Sequence, residues 1–273
     1  MKTLAFFSVL VSLLAISCQK SRGDVDAPAV YDSTPGPFLQ RTSVKLAGSN
    51  RDSGWLQLPV HYNSGTDSKK YPLVIYFNGK FESAQFSSLR GMLDIGIPKF
   101  LADSLRFTFN AAGKQEELIV LCPQSDNGYP SAASINQTID YMISNYRVDA
   151  SRIYLAGISS GAASMLSYLT AKQEYADRIA AVVPMSSVQL TREEITNLKF
   201  IANTGLPVMI FCGNQDPLLD NNKNYVDEIN SHKPGLAIFK SYSGGHNNWN
   251  KMFDPSNTYY TPNIYQWMLQ YSN

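Results

Sequence analysis

A chain of 273 residues that is 44% apolar, 16% charged and 12% aromatic has a globular composition and can bury a sizeable core, which excludes the disordered class. Lys and Arg number 23 against 22 Asp and Glu, leaving no positive excess to attract phosphate backbones, so nucleic acid is not an expected partner. With no HExxH, GxxxxGK[ST] or CxxC run, the sequence makes no case for a zinc protease, a P-loop or a zinc ribbon, and no metal is expected.

Met1-Lys2-Thr3 carries one positive charge, and residues 4–16 are apolar apart from Ser8 and Ser12, the pattern of a secretory signal over residues 1–17. That apolar run is too short to span a bilayer, which takes about 20 residues. Ala15 and Ser17 stand at −3 and −1 from Cys18, and a polar stretch rich in Asp, Ser and Pro continues to Pro37. The segment resembles a bacterial lipoprotein signal, with Leu14 one place upstream of that pattern's −3 leucine. The resemblance implies a lipid on Cys18, a tether over residues 18–37, and a protein carried across the inner membrane and anchored to the cell envelope or surface. Simple secretion after cleavage at Ser17, leaving Cys18 as an exposed thiol, is the alternative. Loss of residues 1–17 removes only Lys2 from the charge count, so the remaining chain has 22 charges of each sign.

From residue 38 onward strands alternate with helices, and residues 38–273 are expected to form one domain. Residues 38–44 and 55–60 flank a turn-forming segment and predict an antiparallel hairpin. Short apolar runs at 73–77, 118–121, 153–156, 179–183, 208–211 and 236–239 have the character of strands buried on both faces. Helical periodicity marks residues 132–146, 160–170, 222–231 and 264–269. The alternation predicts an α/β fold, a mostly parallel central sheet with helices on both faces. The segment 80–117, interrupted by Gly91, Gly96, Pro98 and Gly113, is expected to overhang the sheet's carboxyl edge.

Gly157-Ile158-Ser159-Ser160-Gly161 follows the strand at 153–156 and opens the helix at 160–170. In that context G-x-S-x-G describes a strained strand-to-helix turn presenting a nucleophilic serine, with glycines that let strand and helix approach. The alternative is a glycine-rich turn with Ser159 as a helix N-cap. A serine hydroxyl needs a base to take its proton and a carboxylate to orient that base. Of the three histidines, His61 comes too early for the order Ser, Asp, His, and His232 ends a helix that returns to the wrong edge of the sheet. His246 follows the strand at 236–239 through Ser243-Gly244-Gly245, which delivers it beside Ser159. Asp216 leaves the strand at 208–211 and is the expected acid; Asp220, four residues on, suits the start of the next helix. The expected oxyanion donors are the N–H of Ser160 and, from the Asn78-Gly79-Lys80 loop, that of Lys80.

These segments, with Tyr71-Pro72-Leu73-Val74-Ile75, Gly96-Ile97-Pro98-Lys99 and Trp249 three residues after Gly244-Gly245-His246, resemble the α/β-hydrolase superfamily. The resemblance is to bacterial secreted esterases related to polyhydroxybutyrate depolymerases and to feruloyl and acetylxylan esterases. It implies a serine hydrolase of carboxylic esters, among them acyl groups on polysaccharides, with no metal or organic cofactor. A peptidase using the same triad, and a binding protein that keeps the fold without the activity, are the alternatives. Two departures stand out: Asn78 replaces the family's usual His before Gly79, and Ala162 its usual Gly. The family's strand order, 1-2-4-3-5-6-7-8, would put Cys122 and Cys212 four strands apart, about 19 Å, beyond disulfide reach. Trp249 is expected to bind substrate by stacking, with Tyr259 and Tyr260 near it, and Trp267 is expected in the core; packing is the alternative for the first three.

Overall fold

The computed structural model describes residues 39–42, 53–63, 68–80, 88–103, 105–125 and 129–273. The expected signal, Cys18 and the tether lie outside these residues. The strands are β1 (Leu39–Thr42), β2 (Gly54–Gln57), β3 (Tyr71–Phe77), β4 (Thr108–Ala111), β5 (Lys114–Glu117), β6 (Ile119–Pro123), β7 (Val148–Ile158), β8 (Ala181–Met185), β9 (Val208–Gly213) and β10 (Ala237–Tyr242). The helices are α1 (Gly96–Ala102), α2 (Ala132–Asn145), α3 (Ser160–Ala171), α4 (Gln173–Ala176), α5 (Arg192–Thr196), α6 (Lys199–Thr204), α7 (Leu219–His232), α8 (Asn250–Phe253) and α9 (Ile264–Met268).

Eight strands form one sheet in the order β1-β2-β6-β3-β7-β8-β9-β10, while β4 and β5 make a separate hairpin. The β1–β2 and β2–β6 pairings are antiparallel, and every pairing from β6 to β10 is parallel. This is the sheet expected from the sequence, with β4 and β5 added outside it. Parallel strands need both faces covered, and β3, β6, β8 and β9 are buried at every residue. Along β3, Leu73, Ile75 and Phe77 pack on one face and Val74 and Tyr76 on the other, following the two-residue period of a strand. The first face takes Ile135 and Ile139 of α2, Leu166 of α3 and Ile229 of α7; the second takes α8, α9 and the segment before β6.

That segment corrects one expectation. Its described part does not overhang the carboxyl edge: Met92, Leu93, Ile97, Phe100 and Leu101 are buried against Val74 and Tyr76, so α1 is a wall of the core. Ile97, Phe100 and Leu101 make one apolar stripe on α1, and burying it outweighs leaving it over an edge. Phe107 and Phe109 pack their rings 5.0 and 4.8 Å from Tyr265 of α9 and fasten the β4–β5 hairpin to the same face. Trp267 is in the core as expected. Cys122 in β6 and Cys212 in β9 are separated by β3, β7 and β8, and both are buried free thiols.

Candidate active site

β7 ends at Ile158 and α3 begins at Ser160, leaving Ser159 between them at φ 52° and ψ −117°. A residue with a β-carbon is strained there. The close approach expected of the turn is present at Gly161, where a β-carbon would stand 2.3 Å from the Phe77 carbonyl oxygen and push α3 off β3. Gly79 is constrained less severely, since its β-carbon would lie 3.0 Å from that of Ser159. The Ser159 side chain makes no capping bond, so the N-cap alternative does not describe it. Its N–H donates to the Met185 carbonyl at the end of β8, 2.9 Å away.

The loops after β9 and β10 meet over this turn. Asn214 N–H donates to the Tyr242 carbonyl at 2.9 Å, Gln215 N–H to the Gly244 carbonyl at 3.0 Å, and Gly244 N–H to Asn214 Oδ1 at 3.0 Å. The lacing brings together the three residues that the sequence nominates: His246 Nδ1 lies 2.9 Å from Asp216 Oδ2, and His246 Nε2 lies 3.0 Å from Ser159 Oγ. An ionised carboxylate only accepts hydrogen bonds, so Nδ1 carries a proton and, in the neutral ring, Nε2 is the acceptor facing the Ser159 hydroxyl. Burial pushes the Asp216 carboxyl up, but the Leu218 N–H, the Ser186 hydroxyl and His246 together outweigh it and hold the group below its ordinary value. The Leu218 N–H bond is 2.9 Å to Oδ1. Asp220 sits in the first turn of α7, where a negative charge faces the helix dipole. His232 ends α7 and pairs with Glu228 at 3.2 Å, while His61 pairs with Glu117 at 2.9 Å.

Around the turn, the Ser160 N–H opens α3 and has no acceptor within the helix. The Lys80 N–H donates to the Ser160 hydroxyl. Its use as a second oxyanion donor therefore requires that hydroxyl to turn away. Asn78 is buried, and its side-chain amide donates to the Gly79 carbonyl at 2.9 Å, which shapes the loop where the family's usual His would stand. Trp249 requires a correction: it is only 2% exposed, and its ring stands edge-on to the His246 imidazole with centroids 5.0 Å apart. A ring so covered has no face to offer a substrate. It backs the imidazole instead, because a large aromatic beside a functional loop gains more from burial than from exposure.

Three further residues shape this neighbourhood without a clear mark in the sequence. Ser186 and Tyr242 lie behind Asp216, with hydroxyls 3.1 Å apart. Asn222 of α7 receives the Ser187 N–H and donates to the Ser187 carbonyl, both at 2.9 Å, tying α7 to the end of β8. A Ser-Ser pair after an apolar strand was the only visible sign of the first, and nothing local marks the other two.

A mostly parallel eight-stranded sheet, helices on both faces and a strained serine between strand and helix define an α/β-hydrolase fold. Residues 123–259 match the phospholipase/carboxylesterase family, and the chain belongs to that family. Among solved structures, a thermostable esterase aligns with a TM-score of 0.56 at 16% identity over 86% of this chain and 63% of its own. The present chain thus spans less than two thirds of that esterase's length. A hyperthermophilic esterase from the archaeon Pyrobaculum calidifontis aligns with a TM-score of 0.55 at 15% identity, over 86% of this chain and 85% of that one. A feruloyl esterase module from Clostridium thermocellum, complexed with sinapinate, aligns with a TM-score of 0.50 at 17% identity, over 81% and 87%. At these identities the likeness is one of fold. No curated protein matches the chain.

Proposed function

We propose that the chain is a serine hydrolase of carboxylic esters in which Ser159 is the nucleophile, His246 the general base and then acid, and Asp216 the residue that orients His246. The observation that carries this reading is the continuous relay from Ser159 Oγ through both imidazole nitrogens to Asp216, with contacts of 3.0 and 2.9 Å. Ser159 Oγ attacks the ester carbonyl carbon as its proton passes to Nε2, and the developing oxyanion meets the Ser160 N–H. The C–O bond to the alcohol breaks as Nε2–H protonates the leaving oxygen. Water, deprotonated by the same nitrogen, then cleaves the acyl-serine and restores the hydroxyl.

The proposed substrates include acyl groups on polysaccharides. Supporting this is a polar cavity of about 370 Å³ beside the His246 loop, lined by Ser243, Asn247, Asn248, Lys251 and the 53%-exposed Tyr259. Amides, a hydroxyl and a half-exposed tyrosine, with Lys251 Nζ 5.1 Å from its ring centroid, suit a polyhydroxylated group. The bond between Lys80 N–H and the Ser160 hydroxyl favours the second reading, a binding protein without activity. A fluorophosphonate probe separates the two. The hydrolase reading expects one labelled serine, Ser159, because a hydroxyl facing a base is far more reactive than the others; folded protein that takes no label, or takes it elsewhere, supports the second.

The protein is further proposed to be exported and held at the membrane by a lipid on Cys18, a reading supported by the Ala15-Ile16-Ser17-Cys18 pattern. Cys18→Ser should move it from the membrane fraction to the soluble fraction. An unchanged distribution contradicts the lipid anchor.

A further inference from the structure

Three non-glycine residues among those described have positive φ: Ala112 in the β4–β5 turn, Ser159 and Ser186, the last at φ 50°. Ser186 follows β8 directly and is fully buried. A glycine would occupy this backbone without strain. A serine keeps the strain and adds a hydroxyl, so the use of that hydroxyl is the question.

It faces three segments at once. Tyr242 Oη, at the end of β10, lies 3.1 Å away, and Cys212 Sγ, in β9, lies 3.8 Å away. Acting as a donor, the hydroxyl also helps to hold the Asp216 carboxyl below its ordinary value. The directions of the protons follow from the chemistry of these groups. An ionised carboxylate only accepts and is a far stronger acceptor than the Cys212 sulfur, toward which the Ser186 hydroxyl also points, so Ser186 gives its one proton to Asp216 and its oxygen is left to accept from the Tyr242 O–H. Burial first, with the Asp216 charge adding to it, pushes the Tyr242 phenol up to about 12, so it retains the proton that it donates. Burial likewise, aided by the Asp216 charge, pushes the Cys212 thiol up to about 12, leaving it neutral beside the same carboxylate. The groups facing Asp216 are thus His246, the Ser186 hydroxyl, the Cys212 thiol and the Leu218 N–H; Tyr242 faces it through Ser186.

The backbone on either side has the same role. Ser186 N–H donates to the Phe211 carbonyl of β9 at 2.7 Å, the preceding carbonyl, of Met185, holds the Ser159 N–H, and the following residue, Ser187, is clasped by Asn222. Residues 185–187 therefore fix the nucleophile's turn and the acid's surroundings from one rigid point.

We propose that Ser186 is a positioning residue of the hydrolytic site, its hydroxyl oriented by Tyr242 and aimed at Asp216 so that the carboxylate holds the imidazole in line with Ser159. This rests on the triad reading above. Ser186 acts through Asp216 and meets no substrate, so its loss appears in kcat and leaves KM unchanged. Removing one donor also leaves more negative charge facing His246 Nδ1–H, which favours the imidazolium and moves the acid limb of kcat/KM to higher pH.

The test is kcat, KM and the pH profile of p-nitrophenyl acetate hydrolysis for Ser186→Gly, Ser186→Ala, Tyr242→Phe and Ser159→Ala, each checked for cooperative unfolding. Ser186→Gly relieves the backbone strain and is the variant most able to fold. Its kcat is expected to fall about 10- to 100-fold, as for loss of a hydrogen bond to a charged group, with KM unchanged and the acid limb about half a pH unit higher. Tyr242→Phe, which retains the ring and loses only the hydroxyl, is expected to shift both in the same direction by less, and to add nothing in a Ser186→Gly background. Folded Ser186→Gly with wild-type kcat and an unmoved acid limb overturns the proposal, as does a loss confined to KM. Ser159→Ala keeps the two readings apart. If it is inactive, the triad reading stands whatever Ser186 does; if it stays active, that reading fails and the positioning role falls with it.

Discussion

His246→Ala is expected to lower kcat by a factor on the order of 10⁶, as complete loss of the base does in a serine hydrolase, while His232→Ala leaves kcat unchanged. The asymmetry follows from topology. α7 carries the chain from the carboxyl edge of the sheet back to the amino edge, so His232, at its last residue, pairs with Glu228 and not with Ser159. β10 then returns the chain and sets His246 Nε2 3.0 Å from Ser159 Oγ. Without that nitrogen the serine proton loses the acceptor that His246 supplies. The check is kcat on a chromogenic ester, with thermal melting to show that both variants fold. Full activity in folded His246→Ala contradicts the assigned base.

Asp216→Ala is expected to cost about 10⁴ in kcat, and Asp220→Ala nothing measurable. Asp216 fixes the tautomer by accepting the Nδ1 proton at 2.9 Å, whereas Asp220 lies in the first turn of α7. If Asp220→Ala damages kcat and Asp216→Ala does not, the acid lies four residues further on. The carboxyl of Asp216 is held below its ordinary value of 3.8, with its donors outweighing burial. A group depressed in the folded state contributes stability that is fully present above its unfolded value and is lost as pH falls through the lower folded value. The stability difference between wild type and Asp216→Asn should therefore be constant near neutrality and shrink only below about pH 4. A difference that shrinks already between pH 7 and 5 contradicts the ionised, donor-rich site.

Much of the fold was legible because burial on both faces leaves a strong mark. Runs such as Leu73-Val74-Ile75 and Val208-Met209-Ile210-Phe211 admit few readings other than covered parallel strands. The elements that escaped lack that mark. β5 is Lys114-Gln115-Glu116-Glu117, and its hairpin is held by Phe107 and Phe109 meeting Tyr265, a contact across some 150 residues that no local pattern announces. β7 begins at Val148, five residues before its apolar core, because Asp149 bonds Ser151 and Arg152 and supports a polar strand end. α4, α5, α6 and α8 are each too short to display a helical period.

The candidate site divides in the same way. Ser159 was marked by its glycines, His246 by the small supply of histidines and the order of the elements, and Asp216 by its place after a strand. Trp249 was misjudged because sequence shows an aromatic residue near a functional loop but not which of its surfaces is covered. The Ser-Ser pair marks the place of Ser186 but not its proposed role, which lies in a positive φ and in neighbours 26 to 56 residues away. Neither quantity has a local signature in a serine.

The proposed role of Ser159 as the nucleophile of an ester hydrolase is decided by comparing hydrolysis of p-nitrophenyl acetate by wild type and by Ser159→Ala. Wild type is expected to turn the ester over, and a folded Ser159→Ala to lose a factor on the order of 10⁶ in kcat. Equal hydrolysis by the two proteins, or none by folded wild type, would contradict that role.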